Sequence, residues 1–187
     1  GLAVSIDNIA PLVSSVVSPP SGTYYGGNNL DLTVNFNDAV YVDTSEGTPR
    51  IPLTIGSATR YASYVSGSGT SALLFRYTVA NGDSDADGIT VGGSLSANGG
   101  SLMDAAGNAA QTTLNAVGTT TGVLVDALQP SVTNVSASTA DGTYGVISVR
   151  TNRGTATGDS TAKSSVLIAT SEDLLTYSEQ ENSGSIV

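Results

Sequence analysis

The 187-residue chain contains no cysteine, no histidine and no tryptophan. The lack of cysteine excludes disulfides, thiolate metal sites and a cysteine nucleophile. The lack of histidine excludes a Ser-His-Asp triad, a histidine general base and a histidine metal ligand. Aromatic residues make up only 5% of the chain, which is a poor supply for a cleft that stacks sugar rings. Two carboxylates can still cleave a glycosidic bond, so the composition disfavours catalysis without excluding a glycosidase.

Basic residues are also scarce. Six Lys and Arg against sixteen Asp and Glu leave a formal net charge of −10. Such a surface repels phosphate backbones and anionic lipids, so we expect neither nucleic-acid binding nor membrane insertion. No apolar run approaches the roughly 20 residues that span a bilayer. Clustered carboxylates favour divalent cations instead, and calcium is the expected cofactor.

The chain is rich in short runs of alternating polarity. Residues 30–36 alternate strictly between apolar and polar side chains, which predicts a strand with one face in a core. Further short strands are predicted at 50–55, 59–65, 72–79, 89–91 and 122–125, with glycine-rich turns between them. This spacing predicts an all-β fold, an antiparallel sandwich of two sheets. The residues predicted to be buried include Leu32, Val34, Phe36, Phe75 and Leu124.

The sequence also repeats itself. Residues 6–11, Ile-Asp-Asn-Ile-Ala-Pro, recur as Val-Asp-Ala-Leu-Gln-Pro at 125–130, and the Gly-Thr-Tyr at 22–24 recurs at 142–144. An offset of about 120 residues is the size of a domain, which predicts a tandem array of globular modules rather than a solenoid. We therefore divide the chain into a linker or strand at 1–10, a complete module at 11–126 and a partial second module at 127–187.

The second module is only half as long as the first. Its predicted strands are 147–150, 165–170 and 174–177, and half a sandwich leaves a core face uncovered and an edge unpaired. It could be truncated, could close with fewer strands, could pack on the first module, or could borrow a strand from a neighbouring chain. Residues 1–9 are a candidate donor strand, because Leu2, Val4 and Ile6 alternate with smaller or polar residues. In that case the chain is a subunit of an extracellular filament.

Several segments together resemble a bacterial immunoglobulin-like repeat. The segments that carry this resemblance are 40–44, 47–51, 61–70, 83–88, 104–108 and 125–126. Such repeats occur in tandem in large secreted adhesins and other cell-surface proteins. The resemblance implies an immunoglobulin-like sandwich and a secreted, cell-surface location. It also implies a non-catalytic stalk repeat whose partners are neighbouring modules or subunits, while a host or glycan ligand is left open.

The strongest candidate site is the acidic loop at 81–88, which contains Asp83-x-Asp85-x-Asp87-Gly88. Three carboxylates at alternate positions can converge on one hard cation, and Gly88 permits the sharp turn that this needs. The loop differs from an EF-hand, since Ser94 stands where the bidentate Glu is expected and no helices flank it. We therefore predict a calcium site in a β-loop, with an ordinary acidic turn as the alternative.

Four further residues are candidate metal ligands at the module junction: Asp104, Asn108, Asp7 and Asp126. Asp104 and Asn108 could ligate a cation, but a hydrogen-bonded turn with Gly107 at positive φ is the favoured alternative. Asp7 and Asp126 each lie in a linker shortly before a proline. They are either solvated linker charges or ligands that stiffen the junction.

One segment favours a different class of protein. Residues 168–178 resemble a strand and turn of β-propeller glycosidases, in which a similar Asp-Leu-x-x-aromatic sequence recurs. The match is short. It keeps open a third function, a carbohydrate-binding or accessory module attached to a secreted glycosidase.

Overall fold

The structure is a computed structural model that describes residues 6–129, 131–140, 144–152, 164–169 and 177–182. The chain divides into two compact units, Gly1–Ala127 and Leu128–Val187. None of the described residues is helical, so the predicted all-β fold class is confirmed over this part of the chain. Nowhere in the described ranges is there a helix with the length and apolar character needed to cross a membrane.

The first unit has ten strands between residues 6 and 129. They are β1 (Val13–Val17), β2 (Gly22–Tyr24), β3 (Asn29–Asp43), β4 (Arg50–Ile55), β5 (Ala58–Ser66), β6 (Thr70–Thr78), β7 (Ser84–Asp85), β8 (Thr90–Val91), β9 (Ser101–Met103) and β10 (Val123–Asp126). A seven-stranded sheet has the order β1-β3-β6-β5-β4-β8, with β9 paired to the end of β3. A three-stranded sheet has the order β2-β10-β7. Its β2 and β10 are parallel, whereas the other strand pairs of this unit are antiparallel.

Both sheets contribute to one hydrophobic core. The alternation at 30–36 is confirmed, since β3 buries Leu30, Leu32, Val34 and Phe36 and leaves the residues between them half-buried. Phe75 of β6 is fully buried against them. Fully burying a side chain of this size stabilises the fold by roughly 1.5–3 kcal/mol. The small sheet adds Val123 and Val125 to the same core, an arrangement consistent with a sandwich.

Leu124 was predicted to be buried, and this prediction is wrong. Leu124 is half-buried, whereas Val123 and Val125 on either side of it are 0% and 2% exposed. Successive side chains of a strand point to opposite faces, so a one-residue error in register exchanges the two faces. The run of three apolar residues in β10 contains no polar alternation that could identify the inner face.

The second unit consists of two antiparallel hairpins in its described part. The strands β11 (Ser131–Ala140) and β12 (Tyr144–Asn152) pair with each other, as do β13 (Ser164–Ala169) and β14 (Tyr177–Asn182). The predicted strand at 147–150 lies within β12, and that at 165–170 coincides with β13 up to Ala169. The predicted strand at 174–177 lies outside the described residues except for Tyr177, the first residue of β14.

The two units share one irregularity of strand pairing. The β1–β3 register shifts between Val13 and Ser15, and the β11–β12 register shifts between Val132 and Asn134. The register shift in the second unit therefore lies 119 residues after the shift in the first unit, the same offset as the sequence repeat. A β-bulge is a local feature of the strand that contains it, so the same bulge at the same repeat position indicates similar local pairing.

Candidate functional site

Asp83 lies at the centre of the acidic loop. Its side chain is 0% exposed. One carboxylate oxygen accepts a hydrogen bond of 2.8 Å from Arg60 Nε and forms an ion pair with Arg60 Nη2 at 2.7 Å. The other oxygen accepts from the Tyr77 hydroxyl and from the Ala80 backbone N–H at 3.0 Å. The carboxylate therefore has three hydrogen-bond donors, one from β5, one from β6 and one from the residue just before the loop.

These donors decide the charge of Asp83. Burial raises the pKa of this carboxyl, but the hydrogen bonds from Tyr77, Arg60 and Ala80 outweigh burial and hold the pKa below its ordinary value. The same contacts raise the pKa of the Arg60 guanidinium, chiefly through its hydrogen bond to Asp83. Asp83 and Arg60 therefore form a charged pair at neutral pH that joins the loop to β5.

Asp85 fixes the loop to a neighbouring turn. One of its carboxylate oxygens accepts a hydrogen bond of 2.7 Å from the N–H of Gly56, in the turn between β4 and β5. The other accepts from the N–H of Gly88 at 2.8 Å and, more weakly, from that of Asp87 at 3.3 Å. Gly88 has a φ of +105°, as the predicted sharp turn requires. Asp85 is buried, while Asp87 is exposed at the surface of the loop.

The three carboxylates of the loop thus have different surroundings. Asp83 and Asp85 are occupied by protein donors, so a calcium ion would have to displace Arg60 or backbone N–H groups to use them. Over the described residues, no group of three or more acidic, histidine or cysteine side chains is placed to hold a metal. The donor set of Asp83 and Asp85 does not fit a cation in this arrangement, and calcium binding at the loop stays a prediction.

Asp104 and Asn108 form a closed turn. One oxygen of Asp104 accepts from the N–H groups of Ala106 at 2.9 Å and Asn108 at 2.8 Å, and the other accepts from the Asn108 side-chain amide at 2.7 Å. Burial raises the pKa of Asp104, but hydrogen bonds from Asn108, Ala106 and Gly107 outweigh it and lower this pKa. Gly107 has a φ of +90°, so the predicted positive φ is confirmed.

The same turn contacts the segment that enters the module. The Asn108 side-chain amide donates to the backbone carbonyl of Asp7 at 3.2 Å. The Asp7 carboxylate is turned to its own segment and accepts from the N–H of Ile9 at 3.0 Å. The structure thus brings Asp7, Asp104 and Asn108 together, but it does so through hydrogen bonds between protein groups.

Asp126 differs from the other candidates. It is only 8% exposed, and its Oδ2 is buried without a hydrogen-bond partner in the described structure. It pairs with Ser84 across β10 and β7, next to the acidic loop. The following residue, Ala127, donates its N–H to the Asp83 carbonyl at 2.9 Å and accepts from Gly82 at 2.8 Å. Because a buried carboxylate oxygen without a donor is destabilising, Asp126 is a buried candidate ligand whose lone pairs remain available.

No local sequence pattern identifies Arg60, Tyr77 or Gly56 as partners of the acidic loop. They come from β5, β6 and the β4–β5 turn, 23, 6 and 29 residues before the acids they contact. One available signal was the scarcity of basic residues. With only six Lys and Arg in the chain, a buried acid beside one of them was worth considering as an ion pair.

No protein-family description matches the chain, and no curated protein or solved structure matches it either.

Proposed function

We propose that residues 11–126 form a non-catalytic, immunoglobulin-like structural module, one repeat of a stalk in a secreted or cell-surface bacterial protein. One observation carries this proposal. The buried carboxylates of Asp83, Asp85 and Asp104 all accept hydrogen bonds from protein groups and hold loops in place. Acids that serve catalysis need access to a substrate, whereas acids that stiffen loops suit a spacer.

The bulge that recurs 119 residues later supports the tandem arrangement. In both units the bulge begins two residues after the proline that ends the repeated segment, Pro11 or Pro130. On this proposal, the second unit is the beginning of another module. The residues that follow Asp126, the last residue of β10, are then the linker between two modules, as the segment around Asp7 is the linker that enters the first.

Calcium is part of the proposed function, with the module end as its site. Asp126 would hold the ion, because its Oδ2 is buried and has no donor in the described structure. A bound divalent cation would neutralise that carboxylate and stiffen the linker. Extracellular modules bind calcium with dissociation constants of roughly 10⁻⁴–10⁻³ M.

The proposal is tested against carbohydrate binding with a glycan array. A carbohydrate-binding module presents a row of exposed aromatic rings on one sheet face. Of the tyrosines within residues 6–129, only Tyr41 and Tyr61 are exposed, and they lie on β3 and β5, which are not neighbours in the sheet. Arg50 also stacks on the Tyr61 ring at 4.0 Å. We expect no saturable binding to any sugar, and clear binding to one sugar would overturn the spacer function.

The filament subunit is the second candidate function, and the strand pairing of the second unit favours it. Its described strands pair only within the two hairpins β11–β12 and β13–β14. Outer edges of this kind can accept a strand from another chain. Sedimentation at increasing concentration distinguishes the two functions: a spacer keeps the mass of one chain, and a filament subunit grows.

A further inference from the structure

The segments that enter and leave the first unit run side by side in the same direction. Val16 forms a parallel bridge with Val117. Val16 donates its N–H to the Ala116 carbonyl at 3.2 Å, and its own carbonyl accepts from Gly118 at 2.9 Å. Further along both segments, Gly22 donates to the Gly122 carbonyl at 2.8 Å.

The parallel contact continues into regular strand pairing. In β2 and β10, Gly22 pairs with Val123, Thr23 with Leu124 and Tyr24 with Val125. We call the contact between segments 16–24 and 116–126 the parallel clamp.

Both polar and apolar side chains stabilise the clamp. The Ser18 hydroxyl donates to the Gly118 carbonyl at 2.8 Å. Just before the clamp, the Asn115 side-chain amide donates to the Val13 carbonyl at 3.1 Å. Val16 and Val123, one from each segment, are 2% and 0% exposed in the core. Separating the two segments would break these hydrogen bonds and also bring core side chains into water.

The direction of the two segments determines how they respond to tension. When a chain is pulled from both ends, force enters the first segment at its amino end and leaves the last segment at its carboxyl end. In a parallel pair these two ends lie at opposite ends of the contact, so the segments are sheared and their hydrogen bonds share the load. In an antiparallel pair the two ends lie together, and the bonds break one after another.

We propose that the first unit is a load-bearing element whose parallel clamp resists tension along the chain. This inference rests on the proposed function, because tension between the two ends arises when the module is one link of a stalk. Forced unfolding depends on the unfolding rate rather than on equilibrium stability alone. The clamp therefore matters most where a stalk is pulled, and it makes the unit stronger in one pulling direction than in others.

The test is single-molecule pulling of the full chain in two directions. The chain has no native cysteine, so two introduced cysteines are unique attachment points. Leu12→Cys with Leu128→Cys shears the clamp, and both side chains are accessible, at 48% and 40% exposed. Tyr25→Cys with Leu128→Cys pulls both segments from the same end and peels them apart. Should Tyr25→Cys fail to fold, Asn28→Cys provides the same geometry.

We expect at least about tenfold slower unfolding in the shear direction at the same force, because several hydrogen bonds, each worth a factor of about five, must break together. Equal unfolding rates in the two directions would overturn the clamp. That result would not change the outcome expected from the glycan array, so the spacer function would stand. Conversely, sugar binding would overturn the spacer function and leave the difference between pulling directions in place.

A matched pair of serine variants tests the clamp at the residue level. Ser18→Ala removes the hydroxyl bond to Gly118 inside the clamp. Ser14→Ala removes a similar bond of 3.0 Å to the Asn35 carbonyl, which joins antiparallel β1 and β3. We expect Ser18→Ala to speed unfolding about fivefold in the shear direction. It should have no such effect in the peeling direction, and Ser14→Ala should have none in either. Equal effects of the two variants under shear would contradict the proposal.

Discussion

The first unit has two aspartate–arginine pairs, one between a loop and a strand and one between two strands, and their surroundings differ. Asp83 and Arg60 form a pair in which the acid side chain is 0% exposed and the arginine 36%. Asp31 and Arg76 form a two-bond contact of 2.6 and 2.7 Å, in which both side chains are about 40% exposed. Water screens the second pair, whereas the buried acid depends on its protein donors. The same pair of residue types should therefore contribute differently to stability.

Replacing each acid by its amide separates the two cases. We expect Asp83→Asn to lower the free energy of unfolding by about 2 kcal/mol, because three donors lose a charged acceptor in the interior. We expect Asp31→Asn to lower it by less than about 1 kcal/mol. Urea unfolding of both variants at neutral pH measures the difference. Equal losses would show that burial of Asp83 does not strengthen its contacts.

The same variant predicts a change in acid stability. The hydrogen bonds from Tyr77, Arg60 and Ala80 hold the folded-state pKa of Asp83 below the ordinary aspartate value of about 3.9. A lowered folded-state pKa contributes stability that is fully present above the unfolded-state pKa. This stability is lost as the pH falls from the unfolded-state pKa through the folded-state pKa. Asp83→Asn should therefore lose less stability than the wild type between neutral pH and pH about 3. Parallel losses in the two proteins would contradict this assignment.

At the scale of elements, the acidic loop is shaped by glycines as much as by its acids. Gly82 is its second residue and Gly88 its last, with φ values of +92° and +105°. A Cβ at Gly82 would meet open space, whereas a Cβ at Gly88 would lie 2.5 Å from the Thr120 carbonyl oxygen and from the Thr121 Cα. The two positions share a backbone conformation but differ in packing, so they form a matched pair.

Substitution of each glycine by alanine should distinguish backbone strain alone from backbone strain combined with a steric clash. We expect Gly82→Ala to destabilise the fold by about 1–2 kcal/mol, the usual penalty for a side chain in a left-handed conformation. Gly88→Ala adds a clash with backbone atoms, and we expect a loss of about 3 kcal/mol or more. Thermal melts followed by circular dichroism compare the two variants. A Gly88→Ala protein as stable as Gly82→Ala would mean that the segment at 120–121 moves away freely.

At the scale of the whole molecule, the loops at the two ends of the first unit hold the segments that connect it. The Asn108 side chain contacts the entering segment at Asp7, and Gly82 and Asp83 contact the leaving segment at Ala127. Both contacts are made by loops that the buried acids stabilise.

A calcium titration tests whether a cation bound at Asp126 also stabilises the protein. If Asp126 is a ligand, calcium at about tenfold above its dissociation constant should stabilise the protein by about 1.4 kcal/mol and raise its melting temperature. Asp126→Asn should abolish this increase. Asp85→Ala should lower the melting temperature without calcium, because three backbone donors lose their acceptor. The increase with calcium should nevertheless persist in Asp85→Ala. An increase that survives Asp126→Asn would exclude Asp126, and one that vanishes only in Asp85→Ala would restore the acidic loop as the site.

Local sequence patterns predict the β character of the described residues, the inner face of β3 and the turns at Gly88 and Gly107, because alternation and turn chemistry are local properties. They also indicate which acids lie in structured loops. The donors that those acids meet depend instead on tertiary contacts, since strand pairing brings Arg60 and Gly56 to Asp83 and Asp85 over more than twenty residues. The inner face of β10 and the parallel clamp likewise depend on contacts between segments about 100 residues apart, which no local pattern contains.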